Sequence, residues 1–537
     1  MVAQWTKEIQ INKAFEKWFV QDKWENKIPN YFSWYIRNAR IKNGSSTIRK
    51  WNQIIGSPIL TWAVQWMVYV DKLYFVAGGK FCSLFWIIWD ITYAWPVNFI
   101  VYWPIVIILT WQWNPRVYES HTWTFFQVPD NFMPFDNDPT VPFDNPLKPY
   151  IWDSFTGFTF FAWNAVWYTS VLYISQPVIV SPWSNQPLYN RAYDWHATDP
   201  KPENWAENRV MTSDILWIKA NTNNLYIFCK NTIEILWRSS FTNVWWIVSL
   251  FTQPIADWDQ VINNDTIVPA WSKMFYMTRS LAIKTIWYLP WVVDPQIWDL
   301  TDRIYQSVAW FMETLDQDQP TAFWIYSKND NTIRRHLRTI WSLVNNVCLI
   351  YDLENDTFLV DDNKNYSCMA TGIQNWQFTL FAWDASNAII YQDDVWNLDV
   401  TWTPWVPPYE RNSPNIWFWQ PNRLKQFRGQ TIAWWINQHT LLDLYTYVDW
   451  TLIFTRTISY ADIDTPQSVN IWWPDITNSF ANYPFEFIAD QWQIRSKWKK
   501  IRLKIKVNPA STSPDFYLDS LSFFVRPLTP YKLSDKL

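Results

Sequence analysis

From about residue 57 the chain repeats one pattern: a polar turn signal, then a short unbroken run of apolar and aromatic residues. Lys72-Leu73-Tyr74-Phe75-Val76 is the first such run, followed by Ile105-Val106-Ile107-Ile108-Leu109 and Val171-Leu172-Tyr173-Ile174. Asn224-Leu225-Tyr226-Ile227-Phe228, Lys273-Met274-Phe275-Tyr276-Met277, Val347-Cys348-Leu349-Ile350-Tyr351 and Phe378-Thr379-Leu380-Phe381 continue the series. Runs this short, rich in β-branched and aromatic residues and bounded by turns, predict strands covered on both faces. Several are followed by a second strand-like run, such as Thr232-Ile233-Glu234-Ile235-Leu236 or Ala388-Ile389-Ile390-Tyr391. Residues 441–458 read as a hairpin turning at Asp449-Trp450, and residues 499–507 alternate basic and apolar positions, as a half-exposed strand does. The apolar stretch 95–113 contains Pro96 and Pro104. Two prolines break a membrane-spanning helix, so two adjacent buried strands are expected instead. Helical spacing occurs in one place, residues 7–19, through Ile11, Ala14, Phe15 and Phe19.

Strand pairs recurring every 30–70 residues or so suggest the blades of a propeller, whose common families repeat at about 40–50 residues. The expected fold class is therefore all-β: a β-propeller with an irregular insertion and a C-terminal β-sandwich-like domain. A non-repetitive array of β-sandwiches is the alternative. Residues 1–56 are charged and poor in strand alternation, and read as an N-terminal docking arm. Residues 57–400 read as the propeller, with an insertion at about 115–210 that is rich in Pro, Asp and Asn. Pro404, Pro407, Pro408 and Pro414 mark a boundary, leaving 401–537 for the sandwich-like region.

Composition changes this picture at one point. The 537 residues include 46 Trp and only 7 Gly, where average usage gives about 38 Gly. Trp stands where tight turns need Gly: Asp449-Trp450, Asn375-Trp376 and Asp257-Trp258 each adjoin a strand-like run, and Trp245-Trp246, Trp434-Trp435 and Trp472-Trp473 occur as pairs. Such turns demand positive φ, which a residue carrying Cβ and an indole adopts only at a steric cost. The expectation is genetic code reassignment: UGA codons meaning glycine in the source, written here as tryptophan. The alternative is a truly Trp-rich sugar binder with aromatic stacking platforms.

Charge and reactive residues narrow the function further. A net charge of −4 gives no general pull toward nucleic acid or anionic membrane. Cys82, Cys229, Cys348 and Cys368 lack CxxC spacing, and His121, His196, His336 and His439 lack metal-ligand spacing. Buried strand thiols and hydrogen-bonded imidazoles are expected, with no metal, no cofactor and no catalytic set; the chain reads as a non-enzyme. The acidic pairs Asp136/Asp138, Asp361-Asp362 and Asp393-Asp394 read as solvated turn formers. A glycosidase-like carboxylate pair is the other reading of these, and Ca²⁺ ligation that of Asp136, Asp138 and Asp144. The basic strand places Lys500, Arg502, Lys504 and Lys506 on one face. With Arg37 and Arg40 of the arm, they are the candidate contacts for DNA phosphates or an acidic partner; a solvated sheet face is the plain alternative.

Three segments carry a family resemblance. Ile36-Arg37-Asn38-Ala39-Arg40-Ile41-Lys42-Asn43-Gly44 followed by Ile48-Arg49-Lys50-Trp51 resembles, with glycine read at Trp51, the "N-M-R-x-x-x-G…R-P-G" opening of the packaged-DNA stabilisation proteins, the tail accessory or nozzle proteins of short-tailed phages. Asn224 to Leu236 resembles their "LYLFG-x-x-TIE-V" segment, and Val347 to Leu359 their "VYDL" blade. Lys50-Trp51 lacks the usual intervening Pro, and the C-terminal region shows no match. The resemblance implies a β-propeller subunit in an oligomeric ring below the portal, made in the host cytoplasm and resident in the virion tail. Its implied partners are portal and tail proteins, further copies of itself and DNA in the channel. A carbohydrate-binding or glycan-active propeller, and a generic protein-binding scaffold, are the alternatives.

Overall fold

The computed structural model describes residues 7–11, 35–42, 45–48, 51–56, 64–84, 86–91, 97–102, 104–110, 113–133, 151–155, 158–162, 170–176, 178, 188–195, 207–238, 250–256, 260–289, 293–301, 311–312, 314–362, 364–374, 377–386, 389–396, 409–412, 425–448, 451–459, 484–487, 501–512 and 514–527. Among these, six four-stranded antiparallel sheets and the first four strands of a nine-stranded sheet form seven blades. Blade 1 spans residues 64–90, blade 2 residues 97–127, blade 3 residues 151–210 and blade 4 residues 215–256. Blade 5 spans 267–299 and blade 6 spans 323–362. Blade 7 takes three strands from residues 366–396 and its fourth, Trp51–Gly56, from the N-terminal side of the chain. The first strands of successive blades are neighbours all the way round, and that of blade 7 meets that of blade 1. The ring is closed, and the fold is a seven-bladed β-propeller.

The continuous apolar runs are the middle strands of these blades. Leu73–Ala77, Asn224–Cys229, Thr332–Leu337 and Val347–Asp352 are buried at every position. A blade is packed on both faces by its neighbours, so neither side of a middle strand meets water and alternation disappears. Separate apolar clusters fill the spaces between blades. One joins Phe275 and Met277 of blade 5 to Trp324, Leu349, Tyr351 and Phe358 of blade 6. Another joins Phe75 of blade 1 to Phe381 and Trp383 of blade 7. At that closing junction Tyr69 lies over Gly372, where an added Cβ would stand 2.3 Å from the ring. Only glycine allows this approach, and the Tyr69 hydroxyl donates to the Ile373 carbonyl at 2.7 Å.

The span 95–113 forms the expected hairpin, Val97–Tyr102 with Ile105–Thr110, and Leu441–Val448 pairs with Thr451–Ser459. Three expectations need correction. Lys7–Ile11 is a strand paired with Phe516–Pro527, not a helical start; cross-strand partners outweigh a weak local periodicity. The arm read as residues 1–56 is not separate from the propeller, because Trp51–Gly56 supplies a strand of blade 7 and Ser45–Ile48 pairs with residues 517–518. The Pro-rich span 115–210 holds blade strands as well as connections, among them Thr124–Gln127 and all four strands of blade 3.

Beyond the propeller lie a six-stranded sheet and an extension of the blade 6 sheet. One carries Ala39–Lys42, Ser45–Ile48, Phe516–Pro527, Lys425–Ile436 and Pro484–Phe487. The other is built on the edge of blade 6: Thr357–Asp362 is followed by Tyr35–Arg37, Glu410–Asn412, Ile501–Val507, Leu441–Val448 and Thr451–Ser459. Propeller, arm and C-terminal region therefore share one nine-stranded sheet. The exposed edge that an outer blade strand normally presents is covered here by the chain's own arm.

Candidate functional site

The arm reaches blade 6 through a short clasp. Tyr35–Arg37 runs parallel to the blade's last strand, with Arg37 opposite Val360. The chain then kinks at Asn38, fully buried at φ 55°. Asn tolerates this left-handed conformation better than most residues. Its backbone N–H donates to the Val360 carbonyl at 2.8 Å. Its side chain donates to Asp362 Oδ2 at 3.2 Å and accepts from the Asp362 N–H at 3.1 Å. Beyond the kink, Arg40 grips Asp361 with two nitrogens, at 3.0 and 2.9 Å. A two-pronged pair of this kind fixes orientation as well as charge. The Asp361-Asp362 pair is thus the receptor for Asn38 and Arg40, and neither carboxylate is a solvated turn former.

A second ionic group sits between blades 6 and 7. Asp393 of blade 7 accepts from Arg334 at 2.7 Å and from Lys364, and the Tyr366 hydroxyl adds a bond at 3.2 Å. Arg334 also binds Asp330 at 2.7 Å. Asp393, Arg334 and Lys364 are all buried. Their charges are tolerable because each faces an opposite charge and further hydrogen bonds. His336, on the same side of its strand as Arg334, stacks on Phe323 at 4.7 Å. Burial, followed by repulsion from Lys364 and Arg334, holds its imidazole well below the ordinary value. Its Nε2 lies 3.6 Å from Cys348 Sγ. All four cysteines are buried and unbridged, and burial pushes each thiol up to about 12. They are thiols at neutral pH rather than the thiolates that nucleophilic chemistry needs.

The opposite face of that strand carries Arg335, which is fully buried. Its guanidinium lies 4.4 Å from the centre of the Trp324 ring, 5.5 Å from Phe358 and 5.8 Å from Tyr351. Among the described residues none of its three nitrogens has a hydrogen-bond partner. Burial pushes its pKa down to about 9, so at neutral pH it is an enclosed cation held against aromatic faces.

A cavity of about 310 Å³ lies against the first strands of blades 1, 4, 5, 6 and 7, with Trp66, Lys219, Asp265, Trp324, Lys328 and Met369 in its wall. Burial raises Asp265 to about 7, against the opposing pull of Lys219. Asp153 is raised for the same first cause, and accepts the Ala220 N–H at 2.7 Å. Among the described residues no three His, Cys, Asp or Glu side chains converge as a metal site.

The structure separates the residues proposed as partner contacts. Arg40, a candidate partner or phosphate contact, is engaged within the chain by Asp361. Arg37 lies between Val360 and Glu410 in the sheet. Arg502, Lys504 and Lys506 share the strand Ile501–Val507, opposite Tyr447, Tyr445 and Asp443 on one side. On the other side, Lys504 faces Asn412 and Lys506 faces Glu410. Leu503 and Ile505 between them are buried, so the predicted alternation holds, in the interior of a sheet rather than at its edge. Lys500, Asp136, Asp138, Asp144 and His196 lie outside the described residues.

These features define a seven-bladed propeller fused through blade 6 to a second β-region. No protein-family profile and no curated protein matches the sequence. Among solved structures, the N-terminal domain of Nup159 is similar at 7% identity and a TM-score of 0.38, over 66% of this chain and 97% of that one. The β-propeller domain of Cps50 (Swd1) from Myceliophteria thermophila matches at 8% identity and 0.37, over 64% and 99%. The computationally designed Ika8 protein matches at 8% and 0.35, over 64% and 99%. The fold assignment rests on strand order and ring closure in this chain.

Proposed function

We propose that this protein is a structural assembly subunit, and specifically a tail nozzle or packaged-DNA stabilisation subunit that binds a portal ring. The observation that carries the structural reading is the nine-stranded sheet, which makes arm, propeller and C-terminal region a single body. The buried charges of blades 6 and 7 are matched to one another in pairs that hold elements together, which favours a scaffold over a reactive centre. The nozzle assignment rests on the resemblance of residues 36–51, 224–236 and 347–359. Its partners are the portal, other tail proteins, further copies of the chain and DNA passing through the assembly, and its place is the virion tail. The test is to mix the purified chain with the portal of the same genome and image the product. A ring of subunits below the portal supports the assignment; a chain that stays monomeric and leaves the portal bare refutes it.

One observation favours a second reading, carbohydrate binding. Trp86 and Trp89 are exposed on the outer part of blade 1, with Trp89 stacked 5.1 Å from Phe125. Exposed indole and phenyl faces are stacking platforms for sugar rings. Glycan-array binding that is lost in Trp86→Ala and Trp89→Ala supports this reading; an array without signal removes it.

A further inference from the structure

Three hairpins of this propeller have four-residue loops whose last residue is left-handed. In blade 6, Phe323–Ser327 leads into Thr332–Leu337 with Asn331 at φ 51°. In the same blade, Val347–Asp352 leads into Thr357–Asp362 with Asp356 at φ 52°. In blade 2, Trp113–Glu119 leads into Thr124–Gln127 with Trp123 at φ 59°. Asn and Asp are the side chains that tolerate this region, and glycine enters it freely. An indole on the same backbone carries the penalty of its Cβ, set at Trp271 against one hydrogen bond, from its Nε1 to Asn331 Oδ1 at 3.0 Å.

The two-residue hairpins make the same comparison. Leu73–Ala77 and Lys80–Ser83 are joined by Gly78 and Gly79, both at positive φ, 55° and 74°, the signature of a type I′ turn. Ile267–Ala270 and Lys273–Met277 are joined by Trp271 and Ser272, with positive φ at Trp271 alone, 56°. That sign pattern belongs to type II′, whose first central position is a glycine position. Among the described residues one other bulky side chain has positive φ, Leu281 at 63°; it is buried in the core between blades 5 and 6, where packing offsets the strain. Trp123 and Trp271 are 61% and 72% exposed, so little burial offsets theirs.

We infer that positions 123 and 271 are glycine in the protein as its source makes it. The excess of tryptophan over glycine then reflects a codon that the source decodes as glycine. The inference stands on turn geometry and is independent of the proposed function. It also identifies Trp123 as an element the carbohydrate reading cannot use.

Peptide mass spectrometry of the protein isolated from its native source tests it. Fragments spanning 117–127 and 267–277 should have the masses and fragment ladders of glycine at 123 and 271. Tryptophan at either position overturns the inference. A recombinant chain gives a second readout: Trp123→Gly and Trp271→Gly should each raise the melting temperature of the tryptophan-bearing chain, because each removes a strained Cβ from an exposed turn. A fall in melting temperature in both variants would contradict the geometric argument even without native material.

Discussion

The two faces of blade 6 solve the same problem in opposite ways. Residues 332, 334 and 336 face blade 7, and residues 333, 335 and 337 face blade 5. Toward blade 7 the strand presents Arg334, whose charge is answered by Asp393 and Asp330. Toward blade 5 it presents Arg335, which among the described residues meets three aromatic rings and no acceptor. Neighbouring residues of one type, equally buried, therefore stand at opposite ends of the electrostatic scale. A buried cation with its partners is sensitive to the loss of either; one without partners is a standing cost that an apolar residue would relieve.

The largest expected effect comes from breaking the satisfied side. Asp393→Ala leaves Arg334 and Lys364 buried without their shared acceptor, and should lower unfolding stability by about 3–5 kcal/mol in a urea titration. Arg40→Met should cost somewhat less, about 2–3 kcal/mol, because Asp361 stays buried while Arg40 itself is partly open to solvent. Its loss should also increase exchange of the Tyr35–Arg37 amides. Arg335→Met sharpens the contrast with the opposite sign, a gain of about 1–4 kcal/mol by the same titration.

The smallest effect is a pH dependence. His336 is held neutral in the fold, while in the unfolded chain it titrates near about 6.5. Folding stability should therefore be complete above that value and decline as pH falls below it, since the unfolded state takes up the proton first. Asp265 acts with the reverse sign: its folded pKa is raised to about 7, so its contribution is lost as pH rises from the ordinary carboxylate range toward 7. Urea titrations between pH 4.5 and 7.5, at about half-unit steps, should show a shallower acid decline for His336→Phe than for the parent. Asp265→Asn should show a steeper one.

The strands were legible wherever the signal was local. The hairpins at 97–110 and 441–459 are short apolar runs on either side of a turn, and both chain segments carry the information. Trp51–Gly56 was not legible as a blade strand, because it is short and mixed in polarity and its partner is Ile390–Trp396, most of the chain away. Asp361 and Asp393 resembled turn carboxylates for the same reason. Arg40 is 321 residues from Asp361, and Arg334 is 59 from Asp393, so no spacing rule links them. Lys7–Ile11 shows the converse error, a helical periodicity overruled by a strand partner near the C-terminus.

The account depends above all on the arm being an integral part of the propeller. Hydrogen exchange followed by mass spectrometry under native conditions tests this directly. Peptides covering 35–42 and 51–56 should be protected to the same degree as those covering 357–362 and 390–396, and should lose protection together with them as urea is added. Exchange of residues 51–56 within seconds, while blade 7 stays protected, would mean that the ring is not closed by the arm.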